Sequence, residues 1–99
     1  KGISQKYFAD SEGSHATASE VALTYYGFPD DAARIKQEKL SPRIAPEGSI
    51  YDADDYRRRF PDGRIGSDPT LATAEIGQKL FEASVAGISK KYQEFISAI

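Results

Sequence analysis

The side chains best suited to acid–base chemistry lie close together near the start of a predicted helix. His15 is the single histidine of the 99-residue chain, and Glu20 follows it by five positions. An imidazole exchanges protons near neutral pH, and a neighbouring carboxylate can share one water molecule or one cation with it. Both residues also have simpler explanations. A histidine before a helix is commonly a surface group, and Glu20 fits the third position of a helix capping box.

A second group of charged side chains surrounds a run of arginines. Residues 52–55 hold three aspartates, and residues 57–59 are all arginine. An EF-hand calcium loop needs glycine at its sixth position and glutamate at its twelfth, but Arg57 and Gly63 stand there, so the calcium interpretation fails. Arginines can bind a phosphate or a carboxylate, although a solvated or interface role is the commoner use of such a run. Residues 62–66 lack the spacing of a phosphate-binding loop.

Composition excludes several classes of protein. The chain has 39% apolar and 28% charged residues, a net charge of −2 and no cysteine. It therefore has no disulfide framework, thiolate metal site or thiol nucleophile, and one histidine cannot form a multi-histidine metal site. The charge gives no electrostatic reason to expect nucleic acid, and no apolar run is long enough to span a membrane. We expect a cytoplasmic protein that binds neither nucleic acid nor membranes.

The residues around His15 are predicted to lie on helices and loops. Thr17-Ala18-Ser19-Glu20 fits a capping box, which predicts a helix over residues 17–26, and Gly27 is placed to be its left-handed C-terminal cap. A turn then leads into a short helical piece over residues 31–36. A short extended stretch is expected at the N-terminus, with three apolar residues: Ile3, Tyr7 and Phe8.

The last third of the chain has the strongest helical pattern. Asp68 is a suitable N-cap, and Pro69 fits the first helical position. Apolar residues then recur every three or four positions: Ile76, Leu80, Val85, Ile88, Tyr92, Phe95 and Ile99. This pattern predicts a helix of about 27 residues, whose apolar stripe needs a sheet or another subunit to cover it. Residues 37–69 are predicted to be mostly irregular, with one or two helical turns over residues 52–59.

The first residue suggests a longer polypeptide. The chain begins with Lys1 and contains no methionine, whereas an initiator methionine before lysine is normally retained. We therefore expect residues 1–99 to be the C-terminal segment of one larger domain.

Two sequence blocks resemble the creatininase (creatinine amidohydrolase) family. Residues 15–23 and the following Phe28-Pro29-Asp30 are similar to the family's His-Ala/Gly-Gly…Glu-Thr-Ser…Tyr-Pro-Asp segment, with both internal spacings kept. Residues 66–77 resemble the Gly-Asp-Pro…Ala-Thr-Ala-Glu-Lys-Gly start of the family's final helix. The blocks occur in the family's order over about residues 10–97, which correspond to the later part of a member.

The resemblance implies an α/β fold and a metal-dependent hydrolase. The family's domain is a three-layer α/β/α sandwich in a homo-oligomer, often a hexamer, and this segment would be its mostly helical C-terminal part. The implied reaction cleaves non-peptide C–N bonds of cyclic amides or formamides with water activated by zinc, manganese or iron. Most metal ligands of the family lie in its earlier part and have no counterpart here, so the isolated segment is expected to be inactive.

The resemblance also assigns roles to individual residues. His15 matches the family's acid–base histidine, which protonates the leaving nitrogen or steadies the tetrahedral intermediate. Glu20 is carried over as a metal-proximal residue or ligand, and Glu12 and Ser14 as substrate-binding residues. Creatininase itself has an acidic residue where Ser14 stands and a nearby substrate-stacking tryptophan, which this chain lacks. The expected substrate is therefore a small-molecule amide, with creatinine itself disfavoured.

A second class of function stays open at this point. The chain can also be a non-catalytic helical interaction or scaffold module, with the stripe of residues 76–99 as its docking face. In that interpretation His15 is a residue of the cap region. Metal content and amide hydrolysis discriminate between the two functions.

Overall fold

The computed structural model describes residues 2–35 and 50–98, and helices and loops make up this part of the chain. The elements, in order, are α1 (Gly2–Phe8), a 3-10 turn (Ala9–Ser11), α2 (Ala18–Gly27), α3 (Pro29–Ala32), α4 (Ala53–Arg59), a second 3-10 turn (Pro69–Leu71) and α5 (Ala74–Ser97). The described ranges contain no strand, only an isolated antiparallel bridge between His15 and Ile65. The mostly helical character expected of this segment is confirmed, while the sheet of a sandwich is not visible in it.

The fold centres on α2, which packs against the first half of α5. Ala22 of α2 and Leu80 of α5 are both buried in the core. Gly77 allows the close approach, because a Cβ at this position would overlap the carbonyl oxygen of Ala22. Tyr26 and Phe81 extend the contact, with ring centroids 5.5 Å apart. Small residues at the crossing thus bring the two backbones together, and larger side chains flank it.

The N-terminal residues form helix α1, so the extended stretch predicted there is wrong. Ile3 and Tyr7 are four positions apart, and a helix therefore places them on one face. Both pack against the α2–α5 core, and Phe8 beside them is 4% exposed. An extended chain would point Tyr7 and Phe8 to opposite sides. Burial of this face against the core explains why the segment is helical rather than extended.

Helix α2 begins as predicted but ends one residue later. The capping box over residues 17–20 is present. Gly27 is the last residue of the helix rather than its left-handed cap, and Phe28 follows as the C-cap with φ of −134°. Pro29 explains this end, since the residue before a proline avoids helical geometry. Pro29 also begins α3, which ends at Ala32. The helical piece predicted over residues 31–36 is therefore helical only at residues 31 and 32, residues 33–35 form a turn and a bend, and residue 36 lies outside the described residues.

Helix α5 starts later than predicted because two caps follow one another. Asp68 Oδ1 accepts the amide of Thr70 at 3.1 Å and caps only the single 3-10 turn Pro69–Leu71. Thr73 Oγ1 then accepts the amide of Ile76 at 3.2 Å and begins α5. The helix therefore has 24 residues rather than the expected length.

The predicted helical turns between the two long helices are present as α4. Asp52 caps this helix by accepting the amide of Asp55 at 2.9 Å, and buried Phe60 follows its end. A turn follows α4, with Gly63 at φ of +80°. The part of the irregular prediction over residues 37–49 lies outside the described residues.

From Phe81 onward, α5 exposes most of its apolar stripe. The large apolar side chains concerned are 46–69% exposed: Phe81, Val85, Ile88, Tyr92, Phe95 and Ile96. This agrees with the expectation that the short elements of this chain cannot cover the stripe. No helix in the described ranges has the length and apolar character needed to cross a bilayer.

The α2–α5 contact predicts opposite effects for two glycines of one helix. Gly77→Ala should lower the free energy of unfolding by about 1–3 kcal/mol, because the new methyl group overlaps backbone. Gly87→Ala is the matched control, since nothing lies near its Cβ, and it should raise stability by up to about 1 kcal/mol through better helix propensity. Urea unfolding followed by circular dichroism measures both. Equal effects of the two substitutions would contradict the close crossing.

Candidate functional site

An open cavity of about 510 Å³ lies beside His15. It is formed by the loop before α2 and the region from α4 to the following turn. Its lining residues are Ser14, His15, Tyr56, Arg57, Phe60, Gly63 and Ile65. The size is typical of small-molecule sites. Two of the four predicted site residues, Ser14 and His15, therefore share one cavity, and the exposed imidazole has access to solvent.

The backbone of His15 is held by a segment much later in the chain. The amide of Ser14 donates to the carbonyl of Ile65 at 2.8 Å, and the amide of Ile65 donates to the carbonyl of His15 at 3.3 Å. Ser67, which is fully buried, donates its hydroxyl to the same His15 carbonyl at 3.0 Å. These three hydrogen bonds fix the chain on both sides of the imidazole.

Arg64 anchors the later segment. Its side chain is 7% exposed, and Nη2 lies 2.9 Å from Oδ2 of Asp62. Nη1 donates to the carbonyl of Ser67 at 3.2 Å. A buried guanidinium needs such partners, and here they connect the turn at Asp62 with the serine that holds His15. Neither Arg64 nor Ser67 was predicted as a functional residue, since the only local signal was the Asp-Gly pair before them.

The two loops cross so closely that Gly13 is required. It has φ of +71°, and a Cβ would lie 2.5 Å from the amide nitrogen of Ser67. Ala16 has φ of +52° although it is not glycine. Left-handed backbone costs an alanine about 1–2 kcal/mol. Such strain persists where surrounding contacts impose it, and here it directly follows His15.

Glu12 and Glu20 both satisfy amides at the start of α2. Oε1 of buried Glu12 accepts the amide of Ser19 at 2.8 Å. Oε2 of Glu20 accepts the amide and the hydroxyl of Thr17 at 3.0 and 3.1 Å, and Thr17 Oγ1 accepts the amide of Glu20 at 3.2 Å. Neither carboxylate is part of the cavity lining described above. Their roles in substrate and metal binding stay predictions.

The capping box lowers the pKa of Glu20. The hydrogen bond from the Thr17 amide is the largest cause, and the bond from the Thr17 hydroxyl is the second. Slight burial opposes the shift, and the charge of His15 adds a smaller lowering.

The described residues do not form a metal centre of their own. Within residues 2–35 and 50–98, no three histidine, cysteine or acidic side chains are placed to hold one ion. A catalytic zinc site needs about three protein ligands. His15 and Glu20 amount to two candidates, and the Glu20 carboxylate is already bound to Thr17.

Comparison with protein families assigns the chain to one family. The family model for creatininase, described as creatinine amidohydrolase, matches residues 3–92. The chain belongs to the creatininase family. The resemblance of the two sequence blocks is thereby confirmed, while a search of curated proteins gives no match. Creatininase-family enzymes are generally metal-dependent amidohydrolases, so the donor set described above is incomplete for the family's chemistry.

Helix α4 gives this creatininase-family chain the aromatic wall of its cavity. Tyr56 and Phe60 are four positions apart and lie on one side, with ring centroids 6.1 Å apart. Tyr51 packs against Tyr56 at 5.3 Å from the chain before the helix. This aromatic wall was not predicted, because the charged residues of the region dominate its sequence. The four-residue spacing of two aromatic residues was the available signal.

The lowered pKa of Glu20 predicts an acid-dependent loss of stability. The ionised carboxylate stabilises the fold above its usual pKa of 4.5, and this contribution is lost as the pH falls through the lowered value. The stability difference between the wild type and Glu20→Gln should therefore shrink between about pH 6 and about pH 3. Urea unfolding at several pH values measures this difference.

Thr17→Ala tests the cause of that effect. It removes the capping hydroxyl, so it should cost about 1 kcal/mol at neutral pH and weaken the acid dependence. A difference between wild type and Glu20→Gln that stays constant with pH would contradict the role of the capping box.

Proposed function

We propose that this chain supplies the acid–base histidine and part of the substrate cavity of a metal-dependent amidohydrolase. The reaction is cleavage of a non-peptide C–N bond, of the cyclic amide or formamide type, in a cytoplasmic small molecule. The observation that carries the proposal is the position of His15 at the edge of a cavity of substrate size. Its carbonyl accepts two hydrogen bonds, and a third holds the preceding Ser14. Membership of the creatinine amidohydrolase family supports it.

The role of His15 follows from the chemistry of amide cleavage. A nitrogen leaves an amide poorly unless it receives a proton as the C–N bond breaks. The protonated imidazole donates this proton to the leaving nitrogen and recovers one from solvent, to which it is exposed. Fixing the backbone at Ser14 and His15 limits the positions that the ring can take, which is the contribution expected of a positioned acid.

The proposed reaction depends on a metal ion, and the described residues do not supply enough ligands to hold one. We assign the ligands of the zinc, manganese or iron ion to residues outside the described ranges, because the described side chains provide too few donors. The same applies to the sheet of the α/β/α sandwich, against which part of α5 would pack. Glu20 stays a candidate ligand only if its capping bonds to Thr17 open.

The exposed stripe of α5 favours a second function, that of a helical interaction module. Ile88 and Phe95 are 69% and 67% exposed on one face. Apolar faces of this kind are typical of docking surfaces. We propose that a second copy of the chain covers part of this face in a homo-oligomer such as a hexamer. Docking and catalysis are compatible, and separate measurements test them.

Removal of the imidazole should affect turnover without affecting metal content. In the protein at its native length, we expect a divalent metal by elemental analysis and hydrolysis of some member of a cyclic amide and formamide panel. His15→Ala should lower kcat by about 10²–10⁴-fold and keep the metal. Ser89→Ala, on the exposed surface of α5, is the control.

Three results would contradict this assignment. An unchanged kcat in His15→Ala removes the catalytic role, and loss of the metal makes His15 a ligand instead. Tight zinc binding and amide hydrolysis by the isolated residues 1–99 would show that the assumed outside ligands are not needed.

The oligomer proposal predicts that charge on the stripe weakens assembly. The double substitution Ile88→Asp and Phe95→Asp should shift the protein to a smaller mass in analytical ultracentrifugation, because two carboxylates would have to be buried at the interface. Gln93→Asp, at another exposed position of the helix, is the matched control. Circular dichroism checks that all variants fold. An unchanged mass for the double variant contradicts docking through this face.

A further inference from the structure

We propose that the cavity beside His15 selects amide substrates that carry a carboxylate, and that Arg57 binds this group. The inference rests on the proposed function, because it names the substrate class of the same site. Three observations support it: the charge of the cavity wall, the different directions of the three consecutive arginines, and the long, exposed ion pair of Arg57.

The charged side chain among the described lining residues, apart from the histidine, is the guanidinium of Arg57. Within residues 2–35 and 50–98, no carboxylate lines this cavity. A concave site with one sign of charge concentrates ions of the opposite sign. The cavity therefore favours an anionic substrate and disfavours a cationic one.

Arg57 differs from the two arginines that follow it. Nη2 of Arg58 lies 2.5 Å from Oδ1 of Asp55, and the guanidinium of Arg59 lies 4.3 Å from the ring centroid of Tyr51. Successive residues of a helix point in directions about 100° apart. Arg58 and Arg59 thus make contacts within and beside α4, while Arg57 lines the cavity.

Within the part of the chain that the structure describes, the guanidinium of Arg57 forms only a long, exposed ion pair. Its Nη1 is 3.5 Å from Oδ1 of Asp54, and the two side chains are 79% and 98% exposed. An exposed ion pair of this length contributes little to stability. A substrate carboxylate that forms two parallel hydrogen bonds with the guanidinium can replace Asp54, because the bidentate geometry is the stronger one.

The remaining walls indicate how such a substrate would lie. Tyr56 and Phe60 offer ring surfaces, with an angle of 35° between their planes, to a flat or cyclic body. His15 lines the same cavity, so a carboxylate bound at Arg57 leaves the amide nitrogen to be placed near the imidazole. The substrate class is therefore a small cyclic or planar amide with a carboxylate a few bonds from the scissile C–N bond.

A matched pair of cyclic amides tests the inference by binding. Isothermal titration calorimetry of the full chain compares 5-oxoproline, which carries a carboxylate, with its primary carboxamide, which has nearly the same shape. We expect the carboxylate to bind about two- to fivefold more tightly, which is the effect of an exposed ion pair with good bidentate geometry. Arg57→Gln should abolish this preference, and Arg57→Lys should restore only part of it. Arg58→Gln should keep it, and circular dichroism checks the folding of each variant.

The possible failures separate this inference from the proposed function. Equal binding of the two ligands, binding of neither, or an equal loss in Arg58→Gln overturns the role of Arg57. In the protein at its native length, equal kcat/KM for anionic and neutral amides also overturns it while leaving the hydrolase intact. A carboxylate preference that depends on Arg57, with no hydrolysis of either amide, instead supports the anion site and contradicts the proposed function.

Discussion

The contact between residues 13–15 and residues 65–67 determines the rest of the site. Three hydrogen bonds join these loops, and two of them end on the carbonyl of His15. The same contact brings the end of the α4 region against the loop before α2, so the cavity exists only because the loops meet. Buried Ser67 and the Arg64–Asp62 pair hold one side of the contact, and the glycine at position 13 permits the approach on the other.

The helices provide the frame on which this contact is built. Small residues at the α2–α5 crossing fix how α2 lies on α5, and the capping interactions of Glu12 and Glu20 fix where α2 begins. Because α2 begins three residues after the histidine, these carboxylates also limit the path of the chain through the site. The carboxylate oxygens of Glu12 and Glu20 that accept the amides are the same atoms that would bind a substrate or a metal. Residue type alone therefore could not distinguish a capping role from a role in the site.

Sequence reasoning predicted the features that depend on neighbouring residues and missed those that depend on distant ones. The capping box, α4 and most of α5 follow from local spacing, and the family blocks are the basis of the role proposed for His15. The N-terminal helix was missed because its face is decided by burial on a core formed much later in the chain. Arg64 and Ser67 were missed for the same reason. Ser67 binds the carbonyl of His15, which lies 52 positions earlier in the chain, and no local pattern indicates a contact over that separation.

The backbone conformation of Ala16 couples the contact between the two loops to the direction of the His15 side chain. Its backbone has a left-handed φ that alanine adopts only under constraint. If the loops separate, this peptide is free to return to a right-handed conformation, and the rotation turns the neighbouring imidazole to a new direction. Opening of the loops therefore changes the direction of the His15 ring without requiring that the helices unfold. Under the role proposed for His15, hydrolysis should be lost under milder denaturing conditions than helical structure.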